Sequence, residues 1–235
     1  MKKAKMAAKY FSKLEITLWS SSVVLIAMSF CIFDRSNYVT LAASLIGVTS
    51  ILLNAKGNPT GQLFMIVFSL IYGYISLAVA YYGEMVTYLG MTLPMAVIAL
   101  VSWLRHPYNG SRSEVAVNAI GKREIPFMLL LSGVITAVFY FVLRELHTSN
   151  IFPSTLSVTT SFMAAYLTFR RSPFFSLAYA INDIVLIVLW TLASIENVKY
   201  ISIVVCFSAF LINDIYAFIS WKRMESRQKA LSFEI

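Results

Sequence analysis

Two acidic residues inside long apolar stretches of the sequence are the side chains best placed to do chemistry. Asp183 and Asp214 each directly follow an asparagine, Asn182 and Asn213 respectively. A carboxylate in the core of a bilayer costs at least about 2.5–3.5 kcal/mol, so it normally faces a bundle interior or a water-filled cavity. The two Asn-Asp pairs therefore indicate a polar cavity within a membrane. A structural cap or a hydrogen bond between helices is the alternative interpretation of each acid.

The spacing of the two acids from the ends of their stretches predicts a similar depth. Asp183 lies ten residues after Pro173, and Asp214 lies seven residues before Trp221. If the two stretches are antiparallel helices, a rise of 1.5 Å per residue separates the acids by only about 4–5 Å along the bundle. Both carboxyl groups could then line one cavity.

Aromatic and amide side chains share the predicted helix faces of these acids. The candidate substrate-binding residues are Asn182, Asp183, Tyr179, Trp190, Asn213, Asp214, Tyr216, Gln62, Tyr72 and Tyr88. Rings can stack on an organic cation, acids supply opposite charge, and amides hydrogen-bond hydroxyl or carboxamide groups. The set suits a cationic aromatic ligand, although an aromatic stripe also occurs in ordinary packing. We expect the first half of the chain to contribute polar residues but no buried acid.

The composition of the whole chain indicates a multi-spanning membrane protein. Of its 235 residues, 59% are hydrophobic and 13% are charged, whereas a soluble domain carries about 25% charged residues. Mean hydropathy is +0.74. Runs of about 20 apolar residues are typical of membrane-spanning helices. Eight such segments are predicted, at 16–33, 38–53, 61–82, 85–104, 125–143, 154–169, 174–195 and 200–221.

The basic residues predict the orientation of these spans. Eight spans place both termini on one side, and with that side in the cytoplasm, 16 of the 19 lysines and arginines fall in inner segments. This is the bias that membrane proteins show, and it favours lipid contact over nucleic-acid binding as the explanation of the net charge of +8. Five lysines within residues 1–15 predict a cytoplasmic interfacial helix, and residues 106–124 and 224–235 a cytoplasmic linker and tail.

The chain also contains an apparent internal repeat of three spans. The turn at 56–59 matches that at 170–173, the helix end at 102–105 matches that at 220–223, and Glu84 matches Glu196, each in a predicted tight outer loop. The fold class we predict is therefore all-α. Two parallel three-helix repeats (38–105 and 154–223) are joined by a linker helix (125–153), after an extra N-terminal helix (16–37). Parallel repeats are an arrangement that transporters use, with the substrate between them.

Motifs for other chemistries are missing from the sequence. It has no phosphate-binding Gly-rich loop and no His-Glu-x-x-His, and Cys31 and Cys206 have neither metal-binding nor redox spacing. Asp183 and Asp214 could form an intramembrane protease pair, but neither lies in a glycine-flanked motif. We therefore predict no enzyme activity, no cofactor and no metal.

Several short motifs resemble the PnuC family of bacterial vitamin transporters. They are Lys56-Gly57-Asn58, Tyr82-Gly83-Glu84, Leu93-Pro94-Met95 and 211–216 running into Ser220-Trp221-Lys222. The resemblance implies a SWEET-like arrangement of three, one and three helices in the bacterial plasma membrane. It also implies facilitated uptake of nicotinamide riboside, or of thiamine, riboflavin or deoxynucleosides, with trapping by a cytoplasmic kinase. A homo-oligomer, plausibly a trimer, is implied as well.

The sequence differs from the family pattern near the candidate site. Nicotinamide riboside carriers of the family typically have a Trp-x-x-Trp pair just before the binding asparagine, whereas Tyr179 is the nearest aromatic residue before Asn182 here. Tyr88 occupies roughly the place of an amide. The substrate therefore stays open, as do a carrier in which Asp183 binds Na⁺ or H⁺ and a membrane receptor or structural protein that does not transport.

Overall fold

The computed structural model of the protein describes residues 10–78, 81–148 and 150–232. Most of the predicted interfacial helix, residues 1–9, lies outside this part of the chain. The first described helix begins at Lys13, with Ser12 as its N-cap. The side chain of Ser12 accepts a hydrogen bond from the backbone N–H of Glu15, and the Glu15 carboxylate accepts one from the N–H of Ser12. This reciprocal cap fixes the helix start.

Eight long helices make up the described fold. They are α1 (Lys13–Phe33), α2 (Tyr38–Ala55), α3 (Thr60–Ala78), α4 (Tyr82–Arg105), α5 (Glu124–Glu145), α6 (Ile151–Phe169), α7 (Phe174–Glu196) and α8 (Ile201–Ser232). All but α6 are long and apolar enough to cross a membrane. The α6 helix is 19 residues long but rich in serine and threonine. The prediction of an all-α, multi-spanning membrane protein is confirmed.

Several predicted helix boundaries differ from those observed. The third predicted segment extends to Tyr82, but α3 ends at Ala78, and Tyr82 begins α4. Within α4, residues Tyr88–Thr92 form a π-helical turn. Pro94 follows this turn; it has no N–H to donate to the preceding turn, and such a loss disturbs the regular ladder of hydrogen bonds. The α8 helix continues past the predicted end at Trp221, so most of the predicted tail is helical.

The predicted linker 106–124 contains a small β-hairpin that the sequence analysis missed. Strand β1 (Pro107–Tyr108) pairs antiparallel with β2 (Ser111–Val115). Asn109 and Gly110 form its tip with positive φ angles of 47° and 73°. Asn-Gly is a favoured pair for such tight turns.

Glu84 corrects two expectations. It does not lie in a loop but in the first turn of α4, where it is only 1% exposed. Its Oε1 atom accepts a hydrogen bond of 2.8 Å from the Ser157 hydroxyl of α6. Glu196, its predicted counterpart, is exposed at the end of α7. The first half of the chain therefore does contain a buried acid, and this one match of the proposed repeat does not hold in three dimensions.

Two tryptophans connect the halves of the chain reciprocally. Trp103, near the end of α4, donates from Nε1 to the carbonyl of Thr168 in α6 at 2.9 Å. Trp221 of α8 donates in the same way to the carbonyl of Asn54 in α2 at 2.7 Å. Each predicted repeat thus fixes its third helix to the first helix of the other. Two parallel repeats would produce this reciprocity, which supports the predicted duplication.

The turns that follow α2 and α6 have the same backbone conformation. Gly57 has φ 65° and Arg171 has φ 58°. The N–H of Gly57 donates to the carbonyl of Asn54, and the N–H of Arg171 donates to that of Thr168, both at 2.9 Å. Each of these carbonyls therefore receives one bond from its own turn and one from a tryptophan. We call the two turns the Gly57 turn and the Arg171 turn.

Candidate functional site

A small cavity lies among six helices, α2, α3, α4, α6, α7 and α8. Its lining residues are Gly47, Ile51, Asn54, Met65, Phe68, Tyr88, Thr92, Ser161, Phe175, Tyr179, Asn182, Asp183, Phe207, Phe210 and Asp214. Its volume is about 30 Å³, which is enough for one or two water molecules. The lining contains both aromatic rings and polar side chains.

Asp183 and Asp214 meet in the lining of the cavity. They are 4% and 5% exposed, and their carboxyl groups lie next to each other. Two neighbouring carboxyl groups can share a proton, and either can ionise beside a bound cation. Asp183 Oδ2 has no hydrogen-bond partner among the described residues. No Lys, Arg or His is among the described residues that line the cavity, so a bound cation would meet the acids without competition from a protein cation.

Asn182 is held beside the acid pair by two hydroxyl groups of α6. Its Oδ1 lies 2.7 Å from Thr160 Oγ1 and 3.0 Å from Ser161 Oγ. The rest of the amide is available to the cavity, where it can hydrogen-bond a ligand. The α6 helix is therefore polar for a local reason, since its hydroxyl groups orient a residue of the site.

Aromatic rings make up much of the rest of the lining. The rings of Phe68 and Tyr88 are 5.8 Å apart, those of Phe68 and Phe210 5.7 Å, and those of Phe207 and Phe210 5.5 Å, all edge to face. Tyr179 lines the cavity from α7, next to the acids. Aromatic rings and carboxyl groups in one cavity can together bind a flat cation through both its π face and its charge.

Five of the ten predicted site residues line the cavity, namely Asn182, Asp183, Tyr179, Asp214 and Tyr88. Two more lie directly behind it. Tyr72 packs on Tyr88 with 4.4 Å between ring centroids. Gln62 donates from Nε2 to Asn54 Oδ1 at 2.9 Å, which holds Asn54 at the cavity edge. These two residues support the lining without forming it.

The remaining three predicted residues lie elsewhere. Trp190 is fully buried in the apolar core, against Tyr81 and Tyr200. Asn213 turns away from the cavity and donates to Ser22 of α1 at 2.8 Å. Tyr216 donates to Glu15, also on α1, at 2.9 Å. Their contacts are structural, and two of the three attach α1 to α8.

The sequence analysis missed several lining residues. Asn54 had a recognisable signal, because it is an amide inside an apolar stretch, three residues before the Gly57 turn. Gly47 had none. A Cβ atom at Gly47 would lie 2.2 Å from Cζ of Phe210, so the small residue is required only because that ring packs against it.

Comparison with known proteins agrees with the fold, which is that of a multi-spanning membrane transporter. The family model described as nicotinamide mononucleotide transporter matches residues 37–223. The chain belongs to this family, and it is a transporter rather than an enzyme.

Individual relatives have low sequence identity to this chain, but the alignments cover most of its length. The chain is 23% identical to the nicotinamide riboside transporter PnuC of Neisseria mucosa, over 83% of this chain and 76% of that protein. It is 22% identical to the protein of the same name from Haemophilus influenzae, over 81% and 82%. The crystal structure of the vitamin B3 transporter PnuC superimposes with a TM-score of 0.82 at 22% identity, covering 93% of this chain and 94% of that one. This last likeness establishes the fold.

Proposed function

We propose that this protein is a uniporter that takes up nicotinamide riboside or a closely related cationic vitamin. The observation that carries the proposal is the Asp183–Asp214 pair, which lines an aromatic-rich cavity that has no Lys, Arg or His among its described lining residues. The pyridinium ring of nicotinamide riboside is flat and carries one positive charge. The names of the relatives agree with this substrate.

The site supplies a complementary group for each part of such a molecule. The acid pair neutralises the ring charge, and Tyr88, Tyr179 and the phenylalanine wall contact the ring face. The Asn182 amide is placed to hydrogen-bond the carboxamide or a ribose hydroxyl. Thiamine is also a cation and is the second candidate. Riboflavin and deoxynucleosides are neutral, so they would gain less from the acids.

Transport requires the cavity to enlarge. Sites for small molecules usually measure about 300–1,000 Å³, against about 30 Å³ for this cavity. We infer that the two halves of the bundle rock to admit the substrate from one side and release it to the other. The π-helical turn Tyr88–Thr92 and Pro94 in α4 are suited to absorb such movement.

Other parts of the biological setting belong to the same proposal. The charge bias of the sequence supports cytoplasmic termini. We further propose a homo-oligomer in the bacterial plasma membrane and a functional link to a cytoplasmic kinase that traps the substrate by phosphorylation.

Uptake into liposomes tests the proposal. We expect purified protein to give saturable uptake and counterflow of radiolabelled nicotinamide riboside, with a lower apparent affinity for riboflavin and deoxynucleosides. Uptake should not change when an Na⁺ gradient or a pH gradient is imposed. Gradient-dependent uptake would instead indicate a coupled carrier. If no vitamin or nucleoside binds or is transported, the receptor or structural alternative replaces the proposal.

Substitution of Gly47 by Ala should weaken substrate binding by about tenfold. The added methyl group would displace the Phe210 ring, which lines the cavity, and overpacking of this kind costs about 1–3 kcal/mol. The affinity is measured by titration calorimetry. Gly133→Ala on α5 is the matched control, because nothing lies within 4 Å of a Cβ there, and it should bind as the wild type does. Equal affinity in both variants would contradict the role of Phe210.

A further inference from the structure

The linker between α4 and α5 connects the two turns that correspond to each other in the halves of the chain. The backbone N–H of Val115 donates to the carbonyl of Gly57 at 3.0 Å, and the N–H of Asn118 donates to the carbonyl of Arg171 at 3.0 Å. The side chain of Asn118 also donates to the carbonyl of Arg170 at 3.2 Å. One segment of four residues, 115–118, therefore bridges the Gly57 turn and the Arg171 turn.

The same segment is attached to the end of α8. Gln228 accepts from the N–H of Val117 at 2.8 Å, and its own amide donates to the carbonyl of Val115 at 3.1 Å. Glu114 forms an ion pair with Arg227. Gln228 is 8% exposed, so these backbone contacts are largely shielded from water. The linker is thus a specifically bound element and not a loose connection.

Between the cavity and this segment there is a continuous stack of apolar side chains. Phe175 lines the cavity and packs against Trp221 and Trp103 at 4.9 Å and 6.2 Å between ring centroids. Val115 is fully buried in the same cluster as these three rings. This cluster therefore connects the cavity lining, at Phe175, with the linker, at Val115.

We propose that the linker seals the transport route at the end of the bundle where most of the lysines and arginines lie. Val115 is the plug of this seal, and Asn118 is a positioning residue. The proposal rests on the transport function proposed above. The two turns flank the route, because Asn54 and Phe175, which lie next to them in sequence, both line the cavity. The turns cannot separate while one short segment is hydrogen-bonded to both, so the linker must release at least one turn in each transport cycle.

A reversible cross-link tests this release. The parent protein carries Cys31→Ser and Cys206→Ser, which remove the only native thiols. Asn118→Cys and Arg171→Cys are then added, and copper phenanthroline oxidises the pair to a disulfide. We expect oxidation to lower nicotinamide riboside uptake at least tenfold and reduction by dithiothreitol to restore it. Tyr108→Cys with Ser111→Cys joins two paired positions within the hairpin, and this control should transport equally well when oxidised or reduced.

A labelling experiment decides the question independently of transport. In the same parent, Ser161→Cys places a thiol on the cavity wall. Adding Val115→Gly should raise its labelling by a polar methanethiosulfonate reagent at least fivefold, while Val115→Leu, which keeps the plug, should not. Normal uptake by the fully cross-linked protein, or equal labelling of the glycine and leucine variants, would overturn the proposal. If the reduced protein transports nothing but labelling still depends on residue 115, the proposed substrate function fails and the seal stands.

Discussion

Replacing Asp183 or Asp214 with Asn should weaken nicotinamide riboside binding by about 10- to 100-fold. Each change removes one of the two carboxyl groups that can ionise to balance a bound cation, while the asparagine amide keeps the shape of the side chain. Interactions with a charged partner contribute about 1.5–3 kcal/mol, and no third acidic residue is among the described residues that line the cavity. The isosteric change should preserve the folded yield. Titration calorimetry on the purified variants measures the loss.

Two comparisons make this result specific to charge. Glu196→Gln neutralises an exposed acid at the end of the same helix and should leave the affinity unchanged. A neutral deoxynucleoside, if it binds, should lose much less affinity than the cation does. Wild-type affinity for nicotinamide riboside in both aspartate variants would rule out the assignment of this cavity as the substrate site.

Trp103→Ala and Trp221→Ala should each lower the free energy of unfolding by about 3–5 kcal/mol, the usual cost of truncating a large buried aromatic side chain. Both residues are fully buried, and each loses a hydrogen bond to the opposite half of the chain. For a chain of this size the change corresponds to a fall in Tm of roughly 10 °C. Thermal unfolding in detergent, followed by intrinsic fluorescence, measures it.

Comparing the two variants tests whether the two tryptophan contacts are equivalent. If the halves are related by duplication, the two losses should agree within about 1 kcal/mol, because the contacts are equivalent. Tyr74→Ala is the control, since Tyr74 is 62% exposed on α3 and its removal should change Tm little. A large loss of stability for one tryptophan variant and none for the other would show that the two contacts do not stabilise the protein equally.

The polar residues show where sequence reasoning succeeds. Asp183 and Asp214 could be placed together because charge is so costly in a bilayer that few arrangements are possible. Asn213 shows the limit. Adjacent residues on a helix point about 100° apart, so Asn213 faces α1 while Asp214 faces the cavity. That distinction depends on where α1 packs, which no local pattern in the sequence specifies.

Glu84 and the linker were misjudged for a related reason. An acid near the end of an apolar stretch looks solvent-exposed, yet Glu84 is buried and accepts a hydrogen bond from Ser157 of α6. The linker 106–124 is polar in composition, yet Val115 is buried in one cluster with rings from α4, α7 and α8. Burial of this kind is created by long-range packing, whereas hydropathy reports only the immediate neighbours in sequence.

The shared backbone conformation at Gly57 and Arg171 makes the two ends of the linker unequal. Glycine adopts a positive φ freely, while a residue with a Cβ atom incurs roughly 1–2 kcal/mol in the left-handed region. Arg171 carries this strain, and burial together with the neighbouring Arg170 lowers the pKa of its guanidinium group. If the linker releases the strained Arg171 turn first, the transporter would open in a fixed order. The Gly57 turn would stay bound to the linker and act as the hinge.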